Sequence, residues 1–202
     1  MSHVSESDLD AAAAAVRDGE PVVYPTETVY GLGADALDPA AVERVFDLKG
    51  RARDRPISLA VPDVAAARRY ARPTERELDF MRAFLPGPVT VVVERREAVP
   101  DALTGGRERV GVRIPDHPVA LDLLRRVAPT PVTATSANRS GAGSARRVAD
   151  VHPTVREGVA VVLDDGETPG TESTVVNVSA GTIHRRGANA DAIEAWLADH
   201  RG

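Results

Sequence analysis

Pro21-Val22-Val23-Tyr24-Pro25-Thr26-Glu27-Thr28-Val29-Tyr30-Gly31-Leu32-Gly33 is the stretch on which the fold turns. A β-branched and aromatic run between two prolines reads as a short buried strand. It opens into a loop, Thr26 to Gly33, of hydroxyls and glycines. Asp38-Pro39 follows, an N-cap residue with proline at the first helical position. Val42, Val45, Phe46 and Leu48 then keep helical spacing up to a stop at Gly50. Strand, polar loop and helix in that order belong to an α/β protein. Hydroxyls and flexible backbone at a strand end suit a small polar ligand or a phosphate, although Pro, Thr and Gly equally favour a plain turn. A P-loop is excluded because the Gly-Lys-Ser/Thr ending is missing, and so is a dinucleotide fingerprint, because Gly-x-Gly-x-x-Gly does not occur.

The same pattern continues on both sides. Ser5-Glu6-Ser7-Asp8 starts a helix whose body, Leu9 to Arg17, is alanine-rich and which Gly19 stops. Ile57 to Val61 is the next strand, and Pro62 to Tyr70 and Thr74 to Phe84 read as helices, with Thr74 and Glu77 at capping-box spacing. Pro86-Gly87-Pro88 breaks the chain before the strand Val89 to Val93, and Val110 to Ile114 is another. A helix runs from Asp116 or His117 to Val127. Pro131 to Thr135 is a strand that enters a turn at Ser136-Ala137-Asn138. Val159 to Leu163, Thr174 to Val178 and Thr182 to Arg185 are strands, and a last helix, Ala190 to Ala198, docks through Trp196 and Leu197. The late strands have short connections, so the expected sheet is twisted and mixed, parallel and antiparallel, with flanking helices. Arg139 to Asp150, with small residues and three arginines, reads as a mobile lid-like loop rather than a linker. The expected organisation is one domain over residues 1–202, with its core over about 9–192.

Composition narrows the chemistry. Among 25 basic residues there is a single lysine, Lys49. Arginine replaces lysine on a surface at little cost, but not where a compact ammonium must fit among phosphate oxygens. The 202-residue chain is long enough for a real core, and with 3% aromatic residues that core must be aliphatic. A net charge of −5 argues against nonspecific coating of nucleic acid. With no cysteine, disulfides, thiolate metal sites and a cysteine nucleophile are ruled out. No histidine or carboxylate spacing suggests zinc, and no serine sits in Gly-x-Ser-x-Gly. Neither a signal peptide nor an apolar run near the ~18 residues of a membrane span is present, so a cytoplasmic protein with no membrane contact is expected.

The candidate residues lie in a few segments. Lys49-Gly50-Arg51, with Arg53 and Arg55, places Lys49 and Arg51 on one side of an extended chain, where two cations need an anion such as polyphosphate between them. The alternative is a solvated basic loop after a helix end, which favours a cation anyway. Arg113, between β-branched residues, would need a carboxylate or phosphate partner if it faced inward. Ser136 and Asn138 stand at a strand's carboxyl end, where α/β ligand sites usually lie, or form an ordinary Asx turn. Glu172-Ser173-Thr174, with Arg185 close behind, is a weaker fifth element.

In this order and spacing, from about Ala12 to about Ala192, the segments resemble the YrdC-like family. Pro25 to Gly33 is similar to its opening motif and Lys49-Gly50-Arg51 to its Lys-x-Arg element. Leu85 to Thr90, Val110 to Pro115, Ser136 to Gly141 and Glu172 to Val176 are similar to its remaining blocks. The resemblance implies a twisted mixed sheet around a concave, positively charged cavity. It also implies a nucleotidyltransferase that makes L-threonylcarbamoyladenylate and pyrophosphate from L-threonine, bicarbonate and ATP with Mg²⁺. The product would pass to a tRNA threonylcarbamoyl transferase, with at most a weak tRNA contact. By position, Lys49 and Arg51 would be catalytic. They would bind ATP together with Arg55, Ser136, Asn138 and Arg185. Thr28, Arg113, Thr135 and Ser173 would line the threonine end, and no metal ligand is implied.

This chain departs from the family pattern at several positions. Ala60 stands where a histidine is frequent, Ala52 and Arg186 where prolines are, and Arg109 where a threonine is. It resembles the short single-domain form. Two alternatives stay open. One is a YciO-like paralogue of different activity. The other is an RNA-binding module using the same cavity, which the lack of aromatic stacking platforms disfavours.

Overall fold

A computed structural model describes residues 4–200, so the expected span of 1–202 runs past the described residues at both ends. The strands are β1 (Val22–Tyr24), β2 (Gly31–Gly33), β3 (Ser58–Ala60), β4 (Val89–Glu94), β5 (Arg109–Arg113), β6 (Val132–Ser136), β7 (Val161–Val162), β8 (Thr174–Asn177) and β9 (Thr182–Arg185). The helices are α1 (Glu6–Arg17), α2 (Pro39–Lys49), α3 (Val64–Ala67), α4 (Glu75–Phe84), α5 (Asp101–Thr104), α6 (Pro118–Val127), α7 (Pro153–Glu157) and α8 (Ala190–Asp199).

The strands form one sheet in the order β7-β1-β2-β6-β3-β5-β4-β8-β9. The β1–β7, β3–β5 and β4–β8 pairs are parallel and the other five are antiparallel. The sheet is therefore mixed, as expected, and the short late connection between β8 and β9 makes an antiparallel ladder. One aliphatic core, with Phe46, Leu59, Met81, Val91 and Val112, lies beneath α2 and α4. A second, with Leu9, Val16, Leu123 and Val127, fills the space between α1, α6 and the sheet.

Local signals account for most boundaries. The Ser5 hydroxyl accepts from the Asp8 N–H and the Asp8 carboxylate accepts from the Ser5 N–H, a capping box that starts α1. Thr74 and Glu77 do the same for α4. Asp38 caps α2 ahead of Pro39, and Gly50 ends it with φ +55°. At α8, Trp196 meets Phe80 edge to face at 5.0 Å, and the buried Leu197 docks beside it.

Three expectations need correction. Gly31-Leu32-Gly33 is not loop but β2, paired with Tyr24-Val23-Val22. Its glycines serve close approach rather than a turn: a Cβ on Gly33 would lie 2.8 Å from the Tyr24 ring, and one on Gly31 2.9 Å. The helix expected over 62–70 shrinks to α3, because it begins only at the Asp63 cap and ends within a turn. Lys49 and Arg51 do not alternate along an extended segment. Lys49 is the last helical residue of α2, and left-handed Gly50 separates it from Arg51. The short helices α5 and α7 were read from no signal in the sequence.

Candidate active site

Period-two alternation puts a row of small and polar residues on one face of the sheet. Ser58 of β3, Thr90 and Val92 of β4, Arg109, Gly111 and Arg113 of β5, Ala134 and Ser136 of β6, and Val175 and Asn177 of β8 all line a cavity of about 810 Å³. Gly111 keeps its floor flat: a Cβ there would run into Ser58 Oγ and sit 2.9 Å from Thr90 Cγ2. Arg51, Arg55, Arg107, Arg109, Arg113 and Arg185 reach the cavity, against the carboxylates Asp54, Glu108 and Glu172.

The structure brings most of the expected residues to this one hollow. Thr28, Arg51, Arg55, Arg113, Thr135, Ser136, Ser173 and Arg185 line it. Arg51 is braced by its own loop, with Nε donating to the Arg55 carbonyl and Nη2 to the Pro56 carbonyl, each at 3.0 Å. Burial, then the charges of Arg55 and Arg185, hold its pKa below the usual arginine value. Arg51, Arg55 and Arg185 thus lie close enough to repel one another at the cavity wall. Arg185 folds over the β8 end, donating from Nε to the Ser173 carbonyl at 3.0 Å and from Nη2 to Ser173 Oγ at 2.9 Å. Thr90 Oγ1 lies 3.4 Å from the same hydroxyl.

Lys49 and Asn138 are not on the wall. Lys49 is 2% exposed and sits one layer behind Ser136. Its Nζ donates to the Ser136 carbonyl and, at 2.7 Å, to the Asn138 carbonyl. Burial, aided by the nearby Arg51 charge, pulls its pKa down to about 8. Asn138 turns its Nδ2 to the Arg139 and Ala142 carbonyls at 2.9 and 2.8 Å, which leaves Oδ1 buried without a partner. The 139–150 segment is fastened at several points: Ser140 N–H donates to the Lys49 carbonyl, Tyr30 N–H donates to the Ala145 carbonyl, and Ala145 is buried.

Arg113 faces inward, and its carboxylate partner is Glu27. Nη2 lies 2.9 Å from Glu27 Oε1 and 2.6 Å from Thr28 Oγ1. Behind that end, His117 Nε2 stands 3.8 Å from Asp165, and burial holds the imidazole pKa below its ordinary value. Sequence reasoning missed Thr26 and Glu27 as members of this end, as well as Ser58, Thr90, Gly111 and Asn177. Alternation from Arg109 through Gly111 to Arg113 was the available signal for the floor.

The departures have structural accounts. Ala60 is buried in the α1–α6 core and does not line the cavity. Arg109 donates from Nη2 to Glu77 Oε1 and to the Val92 carbonyl, both at 2.7 Å, and Ser179 Oγ donates to the same Glu77 oxygen at 2.7 Å. This network ties α4 to the cavity's far end. Arg186 pairs with Asp191 and Glu194, joining β9 to α8. Nothing in the structure explains Ala52.

Comparison with known proteins places these features in context. The Sua5/YciO/YrdC family model, described as "Telomere recombination", matches residues 14–187. A threonylcarbamoyl-AMP synthase of Pyrococcus abyssi is 38% identical over 178 residues, which cover 87% of this chain and 52% of that protein. A putative threonylcarbamoyl-AMP synthase of Mycobacterium tuberculosis is 38% identical over 175 residues, 85% of this chain and 79% of that one. The crystal structure of P. abyssi Sua5 complexed with L-threonine superposes with a TM-score of 0.85 at 37% identity, covering 91% of this chain and 55% of the other. The chain thus spans about half the length of the Pyrococcus protein.

Proposed function

Since the chain belongs to the Sua5/YciO/YrdC family, we propose that it is an L-threonylcarbamoyladenylate synthase, a nucleotidyltransferase acting on L-threonine, bicarbonate and ATP. The threonine amine forms an N–C bond to the bicarbonate carbon, and water is lost to give a carbamate. A carbamate oxygen then attacks the α-phosphorus, the bond from that phosphorus to the bridging oxygen breaks, and pyrophosphate leaves with the electron pair. Neither step needs a protein nucleophile. The protein's work is to position the reactants, balance charge and keep water out.

The observation that supports this most is the convergence of an arginine cluster and a row of hydroxyls on one sheet face. In this reading Arg51 and Arg55 hold the phosphates at the Ser136 wall, where the buried Lys49 charge acts from behind. Ser136 and Arg185 contact the nucleotide, while Asn138, behind the wall, holds the turn that carries Ser136. Thr28, Arg113, Thr135 and Ser173 orient the amino acid. Among the described residues, no group of three or more His, Cys, Asp or Glu side chains is placed to hold a metal ion. In this reading a Mg²⁺ would arrive with ATP, held by oxygens of the phosphates that Arg51 and Arg55 would bind. When bound, that ion would neutralise phosphate charge. A tRNA threonylcarbamoyl transferase, in the cytoplasm, would consume the product. No described helix is long and apolar enough to cross a membrane.

The test is pyrophosphate release from ATP with threonine and bicarbonate omitted in turn. Dependence on both, with threonylcarbamoyladenylate seen by mass spectrometry, is the expected result. RNA binding without turnover, or release indifferent to threonine, would overturn the proposal.

A further inference from the structure

Thr26 and Glu27 do not line the cavity, yet each is bonded to a group that does. Thr26 Oγ1 donates to the Val29 carbonyl at 2.6 Å and lies 2.9 Å from Thr28 Oγ1. A hydroxyl carries one proton. Thr26 Oγ1 also accepts from the Thr28 and Val29 N–H groups at 3.2 and 3.3 Å, and with its own proton on Val29 only Thr28 can supply a proton to the 2.9 Å contact. Thr28 therefore donates to Thr26 and accepts from Arg113 Nη2. In this arrangement Thr28 presents an acceptor to the cavity it lines.

Arg113 is oriented by the same device. Its side-chain hydrogen bonds to Glu27 and Thr28 both use Nη2, and its Nε is buried without a partner. Arg113 lines the cavity, and neither of these bonds uses Nη1. Glu27 is bonded through Oε1, while its Oε2 is buried and unpartnered. A buried ion pair with an orphaned oxygen is a poor stabiliser. What it orients accounts for it better than what it stabilises.

We infer that Thr26 and Glu27 are positioning residues that set the polarity of the amino-acid end: Glu27 holds Arg113 so that Nη1 meets a carboxylate, and Thr26 holds Thr28 as an acceptor for an N–H or O–H of the same ligand. An α-amino acid carries a carboxylate and an amine on one carbon, so the pair recognises the head group rather than the side chain. An acceptor at the amine also keeps an N–H turned toward Thr28 and leaves the nitrogen lone pair for the carboxylation step. This inference rests on the proposed synthase function.

The experiment is steady-state pyrophosphate release by the full chain, varying L-threonine and ATP separately, for Glu27→Gln and the same-shape Thr26→Val. Loss of one charge-assisted contact raises KM for threonine about 10- to 30-fold in Glu27→Gln and less in Thr26→Val, while KM for ATP stays within about twofold. Calorimetry adds a second readout. The parent loses affinity on passing from L-threonine to L-threoninol, which lacks the carboxylate, and Glu27→Gln loses markedly less. Threonine and ATP constants rising together, an unchanged threonine KM in a folded variant, or equal threoninol discrimination in parent and variant would each overturn the inference. Should Glu27→Gln not fold, Thr26→Val and its threonine KM decide. A parent with no threonine-dependent turnover sinks the synthase reading instead, and the calorimetric comparison still judges the positioning.

Discussion

Replacing Lys49 by methionine separates what this side chain does for the fold from what it does for the reaction. Methionine has similar length and no charge. Lys49 is 2% exposed, and its pKa falls from 10.5 to about 8. That difference corresponds to about 3 kcal/mol of destabilisation at neutral pH that the variant would relieve. Against this, the Ser136 and Asn138 carbonyls lose their donor, at about 1–3 kcal/mol each. The two effects oppose each other, so the net lies between a gain of about 1 and a loss of about 3 kcal/mol, a melting shift of no more than about 12 °C for a chain of this size. Catalysis has no such compensation: removing a preorganised charge one layer behind the proposed phosphate wall costs up to about 10²–10³ in rate, the value for a direct donor. Pyrophosphate release should therefore collapse in a protein that still melts cooperatively by circular dichroism. The pH dependence follows from the same shift. Below about pH 8 the buried ammonium is charged and its cost to stability is fully present. Between about 8 and 10.5 the unfolded chain binds more protons than the folded one, so this group makes stability rise with pH. Activity runs the other way, with kcat/KM for ATP falling along an alkaline limb near pH 8 in the parent. The methionine variant loses both slopes. Folded Lys49→Met with turnover within about threefold of the parent, or with the alkaline limb intact, would refute the reasoning.

Gly111→Ala forces a methyl against Ser58 Oγ and Thr90 Cγ2. It should cost about 1–3 kcal/mol by overpacking and raise the ATP and threonine KM values together, read by urea unfolding and steady-state kinetics. Glu77→Gln leaves the Arg109 guanidinium without its carboxylate. Because Arg109 is 35% exposed and Glu77 1%, a loss of about 1–3 kcal/mol is expected rather than the larger value for a fully buried pair, and the urea midpoint is the check.

Much of the fold was legible because local signals and tertiary needs agree. Ser5, Asp38 and Thr74 cap their helices where the sequence places them, and the β-branched runs pair where expected. Gly31 and Gly33 misled because glycine marks both a turn and a close approach, and only the partner, Tyr24, tells the two apart. The site was legible as residue types but not as layers. Lys49 and Arg51 are neighbours in sequence, and a single left-handed glycine sends one into the protein and the other into the cavity. Glu27 escaped notice because its partner lies 86 positions away, on β5, a distance that no periodicity reports.

The strand order also sets when the molecule can become competent. β1 and β2 can pair as a hairpin at once, but β2 waits for β6, and β4 acquires its parallel neighbour only when β8 is made. The hollow borrows Thr28 from just before β2 and Arg185 from the end of β9. During synthesis the nascent protein therefore holds an unpaired edge on β4 until β8 has left the ribosome, and no complete binding surface until Arg185 has followed. Such late, long-range closure makes for slow folding and leaves prematurely terminated products sticky rather than partly active.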